Sequence, residues 1–181
     1  MHLKQGLVVD DYRLFSEIGG GAKGVVWLAR RVGRGEPSVV AVKFLNDCLV
    51  RDRREASRFR QEARALFKVR HPNIARVYSL GVFEETPYIV MEYVGGVTLR
   101  DYIRRNGHIP IDEAAAMAAE IADALDRCHS LGIVHRDVKS LNIRISADPS
   151  GRRRAVLLDF GIAKMEDMSL SVSGTILGTP H

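Results

Sequence analysis

The hydrophobic pattern of the first third of the chain predicts short strands joined by tight turns. Tyr12–Ile18 and Val25–Ala29 flank a glycine-rich run, and Val39–Leu45 follows a turn-rich connection. The spacing then changes. Within Arg51–Val69, the residues Phe59, Ala63, Leu66 and Phe67 recur at helical intervals and share one face, which Glu62 also occupies. A carboxylate on an apolar stripe is costly unless it finds a cation. His71-Pro72-Asn73-Ile74 ends this helix, and strands are predicted over Ala75–Gly81 and Tyr88–Tyr93. Beyond Gly95–Gly96 the pattern is helical. Thr98 is placed to cap a short helix, Leu99–Arg105. Asp112 is placed to cap a longer one, ended by Gly132, with Met117, Ile121, Leu125 and Cys128 on its apolar face. Ile143–Ser146 and Ala155–Leu158 are apolar runs on either side of a turn.

Composition narrows the class. The chain has 181 residues and is 46% apolar, enough for one domain or two small lobes. Net charge is +5, with arginines in runs such as Arg51–Arg54 and Arg152–Arg154. No aromatic residues interleave with them as stacking platforms, so they read as solvated surface and no nucleic-acid partner is expected. Cys48 and Cys128 lack CxxC spacing, which argues against structural zinc and fits a reducing compartment. No apolar run approaches the roughly 20 residues of a membrane span. The N-terminus lacks signal-peptide architecture. The expectation is a cytoplasmic protein with no membrane partner.

The chemistry is concentrated in Ile133–Asn142, I-V-H-R-D-V-K-S-L-N, and in L-L-D-F-G over Leu157–Gly161. Asp137 is suited to orient a hydroxyl nucleophile, and Lys139 to neutralise a transferring phosphoryl group. Asn142 and Asp159 offer oxygens to a hard divalent metal. His135 reads as a packed structural histidine. Upstream, Gly19, Gly21 and Gly24 have the GxGxxG spacing. A strand rather than a helix follows, which excludes a dinucleotide fingerprint, and no Lys-Ser/Thr follows Gly24, which excludes a Walker A loop. The run is either a hairpin whose bare N–H groups cover phosphates or an ordinary flexible hairpin. Ala41 and Lys43 share a strand face: a small residue leaves room for a flat base, and an ammonium two residues on reaches its phosphates.

In this order the motifs resemble the eukaryotic-type (Hanks-type) protein kinases, especially the bacterial serine/threonine kinases, from about Tyr12 to Pro180. The resemblance implies an α+β fold: an antiparallel strand-rich N-lobe with helix C, plus an incomplete, mainly helical C-lobe. It divides the chain into a lead-in over 1–11, an N-lobe and hinge over 12–94, and a partial C-lobe over 95–181. It also implies ATP and Mg2+ as cofactors and Ser/Thr hydroxyls of a protein as substrate. By similarity, Ile18, Gly19, Gly20, Gly21, Ala22, Lys23, Gly24 and Val26 cover the nucleotide. Ala41 and Lys43 meet it from the third strand, and Glu62 pairs with Lys43. Met91 is the gatekeeper, with Glu92 and Val94 in the adenine-binding hinge. Asp137 and Lys139 are catalytic, and Asn142 and Asp159 hold magnesium. Leu66, Val77, His135 and Phe160 would stack as an internal spine. The segment from Asp159 to Pro180 resembles an activation segment, with Ser169, Ser171, Ser173 and Thr175 as candidate phosphosites and Arg136 as a phosphate partner.

The sequence departs from that pattern at Lys23, at Ser140, and at Arg144, which falls where an apolar residue normally floors the adenine site. It also stops at His181, directly after Gly-Thr-Pro. The expected consequence is a long helix at Asp112–Leu131 with its apolar face uncovered, and a partner that covers it. The alternative function is a non-catalytic ATP-binding or interaction fragment of such a kinase.

Overall fold

The computed structural model describes residues 2–22, 24–147 and 151–158, without the side chains of Arg53, Glu55, Arg58 and Glu62. Six strands form one antiparallel sheet: β1 (Val8–Val9), β2 (Tyr12–Gly21), β3 (Gly24–Arg31), β4 (Val39–Leu45), β5 (Val77–Phe83) and β6 (Thr86–Glu92). Their order is β1-β2-β3-β4-β6-β5. β4 is central, and its V-V-A-V-K-F-L sequence is buried from Val40 to Leu45. Side chains alternate across the sheet. Val40, Val42 and Phe44 pack on one face with Leu14, Trp27 and Tyr88. Leu45 and Ile89 face the other way, towards α2 (Arg53–Leu66), where Phe59, Ala63 and Leu66 meet them. A short helix, α1 (Asp47–Val50), links β4 to α2.

The second unit contains α3 (Leu99–Asn106), α4 (Ile111–His129) and a three-stranded sheet ordered β7 (Val97–Thr98), β8 (Ile143–Ala147), β9 (Arg153–Leu157). Thr98 caps α3 as expected, its Oγ1 accepting from the Asp101 N–H at 3.0 Å. Its hydroxyl also donates to the Asp101 carboxylate at 2.6 Å, which holds that carboxyl below its usual range. Gly96, at φ +87°, lets β7 approach β8: a Cβ there would lie 2.0 Å from the Ile145 carbonyl oxygen.

Three expectations are corrected. Phe67 does not share the buried face of Phe59, because α2 ends at Leu66; it is 44% exposed, under the Arg70 guanidinium. The long helix starts at Ile111 with Pro110 as its N-cap, not at Asp112. Its apolar face is not uncovered. Met117 and Ile121 are buried with Ile143, Ile145, Ala155 and Leu157 of the β8–β9 hairpin, while Cys128 joins the α2 core. The hairpin supplies the packing surface, and the exposed side of α4 carries small residues, Ala115, Ala118 and Ala122 among them.

Main-chain bonds join the two units. Ile74 and Leu157 form a parallel bridge. The Ala75 N–H donates to the Leu157 oxygen (3.0 Å), and the Leu157 N–H donates to the Asn73 oxygen (2.8 Å). Side chains reinforce the junction. Asn73 Nδ2 donates to the Ala155 oxygen (2.7 Å) and to the Glu120 carboxylate of α4 (3.3 Å), which the Ala155 N–H also holds within the second unit (2.7 Å).

Candidate active site

Between the units lies a cleft of about 520 Å³. Its roof is the β2–β3 hairpin, from which Ile18, Gly19, Gly20, Gly21, Ala22, Gly24 and Val26 line it. β2 pairs with β3 to the tip, ending at the Gly21–Gly24 pair, with irregularities after Leu14 and Glu17 that curve the strand. The glycines differ in purpose. A Cβ on Gly24 would lie 2.1 Å from the Phe44 carbonyl oxygen, so the hairpin can lie against β4 only with glycine there. Added Cβ atoms at Gly19 and Gly21 would meet nothing within 4 Å, so glycine there leaves bare backbone and open space. Lys23, at the tip, lies outside the described residues.

The rear wall is β4. Ala41 and Lys43 line the cleft from the same strand face, and Lys43 is only 3% exposed. It pairs across the sheet with Val26 and Ile89. Burying an ammonium is costly unless anions compensate it. The sequence-predicted partner, Glu62, falls on α2, and its side chain lies outside the described residues. Met91, Glu92 and Val94 line the connection between the units. The Glu92 N–H donates to the Arg76 oxygen (2.7 Å), and its carboxylate accepts from the Arg76 N–H (3.2 Å) and approaches Arg154 (3.8 Å). With its side chain and its N–H so occupied, Glu92 has its main-chain oxygen to offer the cleft.

The lower wall comes from the loop between α4 and β8. Lys139 Nζ lies 2.8 Å from Asp137 Oδ2, and Asn142 Nδ2 donates to the same oxygen at 2.9 Å and to the Asp137 main-chain oxygen at 2.8 Å. Arg136, just before, has φ 61°, a sparsely populated conformation that turns the chain sharply at this point. His135 is 1% exposed. Its Nδ1 accepts the Asp137 N–H (3.2 Å), so Nε2 carries the proton and donates to the Leu158 oxygen (2.9 Å). Both nitrogens thus brace the loop. Leu158 also donates its N–H to the Asn142 oxygen (2.7 Å), which fixes the chain one residue before Asp159. Asp159, Phe160 and the segment to Pro180 lie outside the described residues. Of the expected spine, Leu66, Val77 and His135 are all buried.

Of the two expected magnesium ligands, only Asn142 falls among the described residues. Asn142 commits its amide nitrogen to two Asp137 oxygens, so its carbonyl oxygen is the atom left to face a hard cation. Sequence reasoning placed none of Thr98, Leu141 or Leu158 in the cleft, which they also line. An apolar Leu141 inside a polar loop was the available signal. Arg144 does lie on the cleft floor, and its guanidinium donates to the Gly96 oxygen at 2.8 Å.

A strand-rich unit with a glycine hairpin over a buried lysine, facing an Asp-Lys-Asn loop, defines a protein kinase. The chain belongs to that family: the protein kinase domain matches residues 12–181. It is 38% identical over 176 residues to the probable serine/threonine-protein kinase PknB of Lactococcus lactis, covering 97% of this chain and 27% of that protein. It is 41% identical to serine/threonine-protein kinase PknB of Mycobacterium leprae, covering 94% and 27%. The crystal structure of the Mycobacterium tuberculosis PknI kinase domain superposes with a TM-score of 0.77 at 32% identity, covering 90% of this chain and 64% of that one. The chain thus spans about a quarter of the length of these curated relatives. Members of the family use ATP and Mg2+. Among the described residues, no helix is long and apolar enough to cross a membrane.

Proposed function

We propose that the chain is the nucleotide-binding and catalytic part of a serine/threonine protein kinase, transferring the γ-phosphoryl of ATP to a protein hydroxyl. The observation that carries this reading is the Asp137 carboxylate, held by Lys139 and Asn142 at the edge of a cleft roofed by the glycine hairpin and backed by Lys43. The adenine base lies between Ala41 and the main chain of Glu92 and Val94. The hairpin covers the phosphates, and Lys43 offsets their charge. Asp137 orients the substrate hydroxyl and accepts its proton. Lys139 offsets charge on the phosphoryl group in transit, in an arrangement that acts by position and electrostatics. Asn142, with Asp159, would hold magnesium, which neutralises phosphate charge when bound. Lys139, two residues after Asp137, favours Ser/Thr over Tyr as acceptor.

The test is transfer of label from γ-labelled ATP to a generic basic protein by the purified chain and by Asp137→Asn. Incorporation that disappears in the variant supports the reading. Equal incorporation by both proteins overturns it. Labelling of a sugar or an aminoglycoside, with none of protein, would reassign the acceptor class.

A further inference from the structure

Asn46 closes β4 at the N-cap of α1, and its side chain makes no capping bond. Its main-chain oxygen accepts from the Leu49 and Val50 N–H groups at 2.9 and 3.0 Å. The side chain reaches instead to the tip of the glycine hairpin. Nδ2 donates to the Gly21 oxygen at 2.7 Å and to the Ala22 oxygen at 2.9 Å. One amide group therefore holds two successive carbonyls of the roof.

In a trans peptide the C=O and the following N–H point in opposite directions. Drawing the Gly21 oxygen to Asn46 turns the Ala22 N–H away from it. Asn46 borders a hollow on the outer side of the hairpin, with Glu17, Trp27 and Asp47, and is not part of the cleft wall. Ala22 lines the cleft. The N–H turned away from Asn46 is therefore the one offered to the cleft. Gly19 and Gly21 have no side chains to restrict the hairpin, so without this tie the Gly21–Ala22 peptide is free to rotate.

We propose that Asn46 is a positioning residue, which orients the Gly21–Ala22 peptide so that its N–H faces a nucleotide's phosphates. The inference rests on the nucleotide reading of the cleft. It concerns the phosphates and not the base, and it assigns the role to a side chain outside the cleft.

Calorimetric titration of the purified chain with Mg-ADP, Mg-ATP and adenosine tests it, using wild type, Asn46→Ala and Asn46→Asp. Asn46→Ala should weaken both nucleotides about fivefold, the worth of one net hydrogen bond, and leave adenosine unchanged. Asn46→Asp should weaken them further, because a carboxylate would face two carbonyl oxygens. Aspartate is nonetheless a good N-cap, so the melting temperature of that variant should equal or exceed wild type. Unchanged nucleotide affinity in Asn46→Asp overturns the proposal. So does an equal loss for adenosine and the nucleotides, which would make Asn46 merely structural. A wild-type chain that binds neither nucleotide sinks the reading of the cleft itself, and this inference with it.

Discussion

Asn142 holds Asp137 twice, by its carboxylate at 2.9 Å and by its main-chain oxygen at 2.8 Å. The residue proposed to face the metal is therefore also the one that aims the carboxylate proposed to orient the substrate hydroxyl. Asn142→Ala should lower single-turnover transfer by about 10²-fold or more, since both positioning and charge neutralisation are lost. The Asn142 main-chain bonds to Lys139 and Leu158 remain, so unfolding should cost only about 1–2 kcal/mol less. Denaturant melts beside rapid-quench kinetics check the pair. A rate within threefold (roughly 0.7 kcal/mol) of wild type would mean that Asn142 is structural.

Lys43 is a cation inside the most buried strand of the sheet. Lys43→Met leaves an apolar side chain one atom shorter in the same place and removes the ammonium. The expected outcome is loss of transfer by about 10²-fold or more with cooperative thermal unfolding preserved. A variant that keeps the wild-type rate would show that Lys43 is misassigned.

Two glycines of the roof should respond in opposite ways. Gly24→Ala forces a Cβ against the Phe44 carbonyl oxygen and should destabilise the fold by about 1–3 kcal/mol. Gly21→Ala meets nothing and should leave stability within about 0.5 kcal/mol, while weakening ATP. Melting curves and ATP titrations on both variants separate packing from ligand access. Equal melting temperatures would refute the assignment of Gly24 to packing.

Tyr88 provides a pH dependence. Burial raises its hydroxyl above the usual phenol range, and the hydrogen bond to Asp10 raises it further. The fold therefore favours the protonated phenol. That stabilisation is complete below the unfolded value of about 10 and is lost as pH climbs towards the higher folded value. Urea midpoints from about pH 8 to about pH 11 should fall more steeply for wild type than for Tyr88→Phe. Parallel curves would exclude Tyr88 as the source.

The catalytic loop was legible because phosphoryl transfer demands particular side chains at short, fixed spacing, and Asp137, Lys139 and Asn142 lie within a single turn of chain. The strand Val39–Leu45 was legible as a β-branched apolar run after a turn-rich connection, though its central place in the sheet was not. What was not legible depends on distance. Nothing near Asn46 announces that its amide will reach Gly21, and nothing near Glu120 announces a bond to the Ala155 N–H. Local periodicity also overran α2 at Phe67, because an apolar residue just past a helix end continues the helical spacing without joining the buried face. The partner of α4 was missed because a hairpin later in the chain covers it.

The bridge between Ile74 and Leu157 has a mechanical consequence. The chain crosses from one unit to the other at residues 93–96, and the bridge with its two flanking main-chain bonds makes a second attachment. Sliding or shearing of one unit against the other would break these main-chain bonds and draw Cys128 out of the α2 core. Lys43 and Asp137 belong to opposite bodies. The attachments that resist sliding therefore keep these two residues in lateral register across the cleft.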